Sequence, residues 1–224
     1  YASGSNNIFI GFESGKGGTS GTPYSSGENN VAIGYASLYS FTTGHSNAII
    51  GYEAGRNINS GHELTIMGHQ AGYNVTSADN NIIMGYQAGY NLTSARYNVL
   101  IGDQAGYSLT AHNGNNENVF IGNAAGYSGD NNWPQATDNV YIGSGTGRYL
   151  DDGYGNVIIG KEAGKSNSAG GNATNYNVYI GHKAGYNTTD TYRSIVIGNE
   201  AGYTMTNAPE SVIIGDQAGY TLTT

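Results

Sequence analysis

One short phrase recurs twelve times along the chain at nearly fixed spacing. It consists of Asn, three apolar residues, Gly, two variable residues, Ala, Gly and Tyr, and residues 81–90 are its cleanest copy. The first glycine of each copy, here called the rung glycine, falls at Gly11, Gly34, Gly51, Gly68, Gly85, Gly102, Gly122, Gly143, Gly160, Gly181, Gly198 and Gly215. Seven of the eleven intervals are 17 residues, and the others are 23, 20, 21 and 21. This period predicts an all-β parallel β-solenoid, or β-roll, of about twelve stacked rungs, with residues 1–224 as one domain.

The composition limits the classes of partner. The chain has 16 acidic and 8 basic residues and a formal net charge of −8, so it lacks the basic stripe that nucleic acid binding requires. No apolar run approaches the roughly 20 residues of a membrane-spanning helix, so we expect no membrane span. Cysteine is absent, which excludes a disulfide framework.

The three residues before each rung glycine predict a strand that is apolar on both faces. The residue directly before the glycine is Ile or Met, and the two preceding positions are apolar or Thr. Strand side chains alternate between faces, and a narrow coil has one interior, so one apolar face points outward. Over twelve rungs of about 4.8 Å this outward stripe is about 58 Å long. Soluble monomers rarely expose such a patch, so we predict lateral self-association; inserted loops that fold over the stripe are the alternative.

Three other columns of the repeat predict corners and turns. A small residue and then Gly lie three and four positions after nearly every rung glycine, which suits a tight corner with positive φ. The Asn that opens nine copies fits a side-chain ladder that caps the preceding turn. Segments such as 74–76, 91–93, 108–110, 204–206 and 221–223 read polar, apolar, Thr, and predict a second strand in each plain rung.

An aromatic column lies five residues after the rung glycine. It contains Tyr39, Tyr73, Tyr90, Tyr107, Tyr127, Tyr186, Tyr203 and Tyr220. The remaining four copies carry Lys16, Arg56, Arg148 and Lys165 at this position. Stacking and cation–π contact favour this combination. We call the column the tyrosine ladder, and it predicts a structural ladder, a subunit interface or a groove on which carbohydrate stacks.

Two further features are candidates for modification or recognition. N-glycosylation sequons occur at Asn74, Asn91, Asn172 and Asn187, and three of them share the column six after the rung glycine. The four longer intervals carry insertions, one of which contains the only tryptophan, Trp133. A Trp in a polar loop stacks on a sugar or a neighbouring subunit, or folds back over the apolar stripe.

The repeat resembles known β-rolls. Residues 30–34, Asn-Val-Ala-Ile-Gly, look like the head-domain repeat of YadA-like trimeric autotransporter adhesins, and residues 85–93 are similar to repeats in phage tail-fibre-like and bacterial surface proteins. The likeness covers essentially the whole chain, although the present rungs are longer. It implies a left-handed β-roll that trimerises through its sides, at an extracellular location or on a cell or virion surface.

No pattern in the sequence predicts an enzyme. A glycosidase needs two carboxylates about 5–10 Å apart across a cleft, whereas Glu13, Glu53, Glu162 and Glu200 lie on non-adjacent rungs. The five His residues show no metal-ligand spacing, and phosphate-loop and calcium-repeat motifs are absent. We therefore expect no catalytic residue, no metal and no cofactor.

The leading hypothesis is a non-enzymatic structural protein, a subunit or segment of an extracellular filament that carries glycans. Joining the last rung to the first rung of a second copy gives a spacing of 20 residues, inside the observed range, so we expect head-to-tail stacking. The alternatives are a carbohydrate-binding adhesin head or phage-fibre shaft, which would use the tyrosine ladder and Trp133, and an ice-binding solenoid.

Overall fold

The computed structural model describes residues 4–17, 25–110, 116–127, 136–150, 153–166 and 174–223. Within these ranges the chain is all β, with strands of three residues each and no helix. The strands are β1 Ile8–Ile10, β2 Val31–Ile33, β3 Ala48–Ile50, β4 Thr65–Met67, β5 Ile82–Met84, β6 Val99–Ile101, β7 Val119–Ile121, β8 Val140–Ile142, β9 Val157–Ile159, β10 Val178–Ile180, β11 Asn187–Thr189, β12 Ile195–Ile197, β13 Thr204–Thr206, β14 Val212–Ile214 and β15 Thr221–Thr223. No helix in the described ranges is therefore long and apolar enough to cross a membrane.

Twelve of the strands form one parallel sheet. Each comes from a separate copy of the repeat and pairs with the strands of the copies before and after it, in the order β1 to β10, then β12 and β14. The register places equivalent residues opposite one another, as in the pairing of Ile83 with Ile66 and Leu100. The predicted parallel β-solenoid with a 17-residue period is thus confirmed.

The core is a single column of side chains inside the coil. The residue two before the rung glycine points inward, and Ile49, Ile66 and Ile83 are fully buried there. Val75 and Leu92, from the opposite wall of the coil, and a set of small alanines belong to the same buried cluster. Each such side chain contributes about 1.5–3 kcal/mol on burial, and it finds most of its contacts in the neighbouring rungs.

The predicted Asn ladder is present and buried. The Asn47 side-chain amide donates to Asn30 Oδ1 at 2.9 Å and to the carbonyl of Gly61 in the turn at 2.9 Å. Its own Oδ1 accepts the backbone amide of Leu64 at 3.0 Å. The pattern resumes beyond Leu64, from Asn81 to the later rungs. These side chains satisfy backbone groups that would otherwise be buried without partners.

The rung glycines are required by the distance between rungs. Gly85 has a φ of +135°, and a Cβ at this position would lie 2.3 Å from the carbonyl oxygen of Gly102. No side chain fits such a close backbone approach. The glycine column therefore allows the backbones of neighbouring rungs to approach closely at this corner.

The prediction of a second strand in every plain rung was wrong for most rungs. Among the described residues, strands on this wall are β11, β13 and β15, which form a separate three-stranded sheet near the C-terminal end of the chain. In the middle rungs the amides of Val75 and Leu92 instead donate to Gly72 and Gly89 at 3.1 and 3.0 Å. A turn within the rung thus uses the amide that a strand would donate to the preceding rung.

Candidate functional site

The outward face of the large sheet is apolar, as the sequence predicted. It is formed by the residues one and three before each rung glycine, here called the outer stripe. Ile82, Ile142 and Ile195 on this face are 40%, 37% and 38% exposed, although each lies between two neighbouring strands. The inward face of the same strands is fully buried. The outer stripe is thus an apolar face without a covering layer: in the described residues, nothing folds over these side chains to bury them.

The outer stripe is most exposed on the first and last strands of the described sheet. Ile8 and Ile10 of β1, and Val212 and Ile214 of β14, are all more than half exposed. The difference arises because an inner rung has a neighbour on each side, whereas β1 and β14 each pair with one strand. A further rung in register would cover these side chains and use the unpaired backbone groups of the edge.

The tyrosine ladder is a stack of parallel rings along one edge of the solenoid. The rings of Tyr73, Tyr90 and Tyr107 lie 5.1 and 5.2 Å apart and within 9° of parallel. Tyr107 continues to Tyr127 at 5.5 Å. A second run joins the rings of Tyr186, Tyr203 and Tyr220 at 4.8 Å spacing. Burial raises the pKa values of Tyr90 and Tyr107, and the neighbouring tyrosines of the ladder add to the rise.

Cations fill the ladder positions that lack tyrosine. Arg56 lies between Tyr39 and Tyr73, with its guanidinium carbon 4.6 and 5.8 Å from the two ring centres. Lys16 lies over Tyr39 at 5.0 Å, Arg148 over Tyr127 at 4.9 Å, and Lys165 over Tyr186 at 5.3 Å. Each cation therefore continues the stack through a cation–π contact.

A carboxylate on the same corner balances some of these cations. Arg56 pairs with Glu53 at 3.3 Å, and Lys165 pairs with Glu162 at 3.0 Å. The hydrogen bond from Lys165 lowers the pKa of Glu162, against the opposing effect of burial. Arg148 and Lys165 stand on consecutive rungs, and this is where the two runs of stacked tyrosines are separated.

The geometry of the ladder limits what it can bind. Both faces of Tyr90 are covered by Tyr73 and Tyr107, so an inner ring offers only its edge and hydroxyl to solvent. A sugar ring cannot stack on a face that another tyrosine already covers. The arrangement favours the structural interpretation of the ladder over a sugar-stacking groove.

A second aromatic stack was missed in the sequence. It lies directly after the first five rung glycines and comprises Phe12, Tyr35, Tyr52, His69 and Tyr86, with successive ring centres 4.8–5.6 Å apart. The four Phe and Tyr side chains are substantially exposed. The signal was available, since this column is aromatic in each of the first five copies, but the polar residues of the later copies obscured it.

Two of the sequon asparagines form a second amide ladder. Asn57 donates to Asn74, and Asn74 donates to Asn91 Oδ1, each at 3.1 Å. Both sequon side chains are half-buried, as is that of Asn187 at the start of β11. A glycan on Asn74 would replace one of its two amide protons and leave the other for this ladder. Asn172 and Trp133 lie outside the described residues.

One buried carboxylate has structural partners. Asp79 accepts from His62 Nδ1 and from Arg96 Nε, each at 2.9 Å, so that both carboxylate oxygens are engaged. The ring of His62 also stacks on His45 at 4.6 Å. Across the described part of the chain, no three His, Asp or Glu side chains converge in a way that would hold a metal ion. The cluster of His45, His62, Asp79 and Arg96 links four successive rungs at one corner.

Comparison with known proteins adds no relative. No protein-family model, curated protein sequence or solved structure matches this chain. The class of protein is therefore defined by the fold itself: a parallel β-solenoid with an outward apolar stripe and stacked side-chain ladders.

Proposed function

We propose that this chain is a structural, non-enzymatic subunit or segment of an extracellular fibre, in which copies associate laterally through the outer stripe. The observation that carries the proposal is the continuous apolar outward face of the twelve-stranded sheet. Ile82 and Ile195 lie on it, six rungs apart, and both remain exposed in the single chain.

The size of the outer stripe supports association between large surfaces. Eleven inter-strand steps of about 4.8 Å give a face about 53 Å long, and contiguous apolar patches of that extent mark interfaces in soluble proteins. The strands are also in register, so equivalent outward side chains lie in rows that a second such face could pack against. The trimer implied by the resemblance to adhesin heads is one arrangement that buries the stripe.

End-to-end stacking would extend such an assembly into a fibre. A rung is the repeating unit of extension, because the strand before each rung glycine makes equivalent backbone hydrogen bonds to the next strand of the large sheet. The high exposure of Ile10 on β1 and Ile214 on β14 would fall if another rung paired there. In register, Tyr220 of one copy would then stand next to Lys16 of the following copy in the tyrosine ladder.

Electron microscopy of the purified chain in physiological buffer tests the proposal. We expect fibres or laterally joined bundles, and sedimentation velocity should show a species larger than the 23.4 kDa chain. Uniform single rods about 60 Å long, with a monomeric sedimentation coefficient, would overturn the proposal.

A matched pair of variants tests whether the assembly depends on the outer stripe. The double variant Ile82→Glu and Ile195→Glu places two charges on the stripe, where they would be desolvated in a lateral contact. The control, Ser46→Glu and Tyr97→Glu, places two charges on exposed side chains five before the rung glycine, a position outside the outer stripe that carries Glu in other rungs. Loss of assembly in the first variant alone supports the interface, whereas equal assembly in both excludes the stripe.

Glycans are proposed at Asn74, Asn91 and Asn187, which share one column along the solenoid. Glycans there would project from one edge and leave the outer stripe open. Peptide mass spectrometry of the material from its native source measures occupancy, and unmodified peptides at all three positions would remove this part of the proposal.

A further inference from the structure

A groove of about 550 Å³ lies on the corner of the solenoid that precedes the last four described strands of the large sheet. It is here called the tyrosine groove, and it is separate from the outer stripe and from the tyrosine ladder. Three tyrosines, Tyr154, Tyr176 and Tyr192, line it together with polar side chains that include Asp190 and Arg193. Its volume lies within the range of about 300–1,000 Å³ typical of small-molecule sites.

Three tyrosines provide the apolar surface of the groove. Tyr154, Tyr176 and Tyr192 are 41%, 54% and 43% exposed. The rings of Tyr154 and Tyr176 meet at 84° with centres 4.9 Å apart, so they form a right-angled wall instead of a closed stack. Their ring faces are therefore not paired with each other, in contrast to the rings of the tyrosine ladder.

The backbone makes room for this wall. A Cβ at Gly155 would lie 2.7 Å from the ring of Tyr176, so the ring lies where a side chain would stand in other rungs. The side-chain oxygen of Asn175 accepts the backbone amide of Tyr154 at 3.1 Å and fixes the two rungs relative to each other. The groove is thus shaped by specific contacts between rungs.

The charges around the groove indicate the kind of ligand. Arg193 pairs with Glu210 at 3.3 Å, so its charge is balanced within the chain. Asp190 adds a carboxylate to the wall, and Asn175 and Asn207 add planar amides. A net negative groove disfavours anions, whereas carboxylate and amide oxygens accept hydrogen bonds from hydroxyl groups.

From this arrangement we infer that the tyrosine groove binds a neutral saccharide. A pyranose ring carries an apolar face of C–H groups, which packs on an open tyrosine face, and a rim of hydroxyl groups, which Asp190 and the amides bind. The groove is open at the surface, so it suits one or two sugar units of a longer glycan. A fibre with this groove on every copy would bind polysaccharide at many points at once.

A glycan array with neutral, sialylated and sulfated oligosaccharides tests the inference on the full chain. Calorimetric titration then measures the affinity of the neutral oligosaccharide that gives the strongest signal. We expect Tyr176→Ala and Tyr192→Ala each to weaken binding about tenfold, the loss of one ring contact. Asp190→Asn removes the charge and keeps an acceptor, so a smaller loss of about threefold is expected. The control is Tyr97→Ala, an equally exposed tyrosine at the position equivalent to Tyr176 on a rung outside the groove.

Binding of neutral sugars that is lost in the two groove variants and kept in Tyr97→Ala supports the inference. Three results overturn it: no binding to any neutral oligosaccharide, binding confined to sialylated or sulfated sugars, or neutral binding that is unchanged in the variant that combines Tyr176→Ala with Tyr192→Ala. Circular dichroism of each variant checks that the fold is retained, which is expected because all the substituted side chains are exposed.

Discussion

The hydroxyl groups of Tyr179 and Thr191 lie 2.7 Å apart in the interior of the solenoid and form a hydrogen bond. Burial raises the pKa of Tyr179 to about 12, against the opposing effect of this bond and of Thr188. Two rungs away, Tyr141 occupies the same column, but Gly153 stands where Thr191 would be. Its buried hydroxyl has no partner in hydrogen-bonding geometry among the described residues.

This difference predicts opposite effects for the same substitution. Tyr179→Phe leaves Thr191 without its partner and should lower the free energy of unfolding by about 1–2 kcal/mol. Tyr141→Phe removes an unpaired hydroxyl and should raise it by about 1 kcal/mol, since Phe120 already stacks on this ring from the same column. Urea denaturation of both variants measures the effects. Destabilisation of similar size in both would contradict the assignment of the two hydroxyls.

The rung glycines allow a steric effect to be separated from backbone strain. Gly85→Ala places a Cβ 2.3 Å from the next rung, whereas at Gly215 the nearest atom is Ala218 Cβ at 3.6 Å. Both residues have φ near +135°. We expect Gly215→Ala to cost about 1–3 kcal/mol from strain alone, and Gly85→Ala to cost more than about 4 kcal/mol. Thermal melts that give equal losses would show that contact between rungs adds nothing to the strain.

Features that recur at one position of every repeat could be predicted from the sequence, whereas features formed by residues from different positions of neighbouring repeats could not. The inner rungs repeat the environment of Ile83 and Gly85, so the apolar and glycine columns of the sequence correspond directly to a buried column and a line of close backbone contacts. The tyrosine groove depends on Tyr154, Tyr176 and Tyr192, which fall in two different columns. They lie close together because of how adjacent rungs pack at a corner, which cannot be deduced from any single column of the repeat.

The tyrosine ladder should contribute to stability according to the number of stacking partners. Tyr90 stacks on two rings, whereas Tyr220 stacks on Tyr203 alone in the described residues. At about 0.5–1.5 kcal/mol for each stacked pair, Tyr90→Ala should cost about 1–3 kcal/mol beyond lost burial, and Tyr220→Ala about half as much. Leucine in place of each tyrosine keeps most of the apolar area and serves as the control. If Tyr90→Leu is as stable as the parent chain, ring stacking contributes little.

The ion pair of Glu162 and Lys165 predicts a stability effect that depends on pH. The hydrogen bond from Lys165 lowers the pKa of Glu162 from its ordinary value of 4.5, so the carboxylate stabilises the folded chain above that pH. This contribution is lost as the pH falls through the lowered value, because the carboxyl group is then protonated in the folded state as well. The Glu162 side chain is partly exposed, so Glu162→Gln should cost only about 0.5 kcal/mol at pH 7.

The difference between parent and Glu162→Gln should therefore shrink to nothing when urea denaturation is repeated at progressively lower pH below 4.5. Glu210→Gln is the control, because that carboxylate belongs to the exposed pair with Arg193 and should change stability less at pH 7. A cost for Glu162→Gln that persists unchanged at the lowest pH would mean that the side chain acts through its packing at the corner, and that the charge pair with Lys165 contributes nothing measurable.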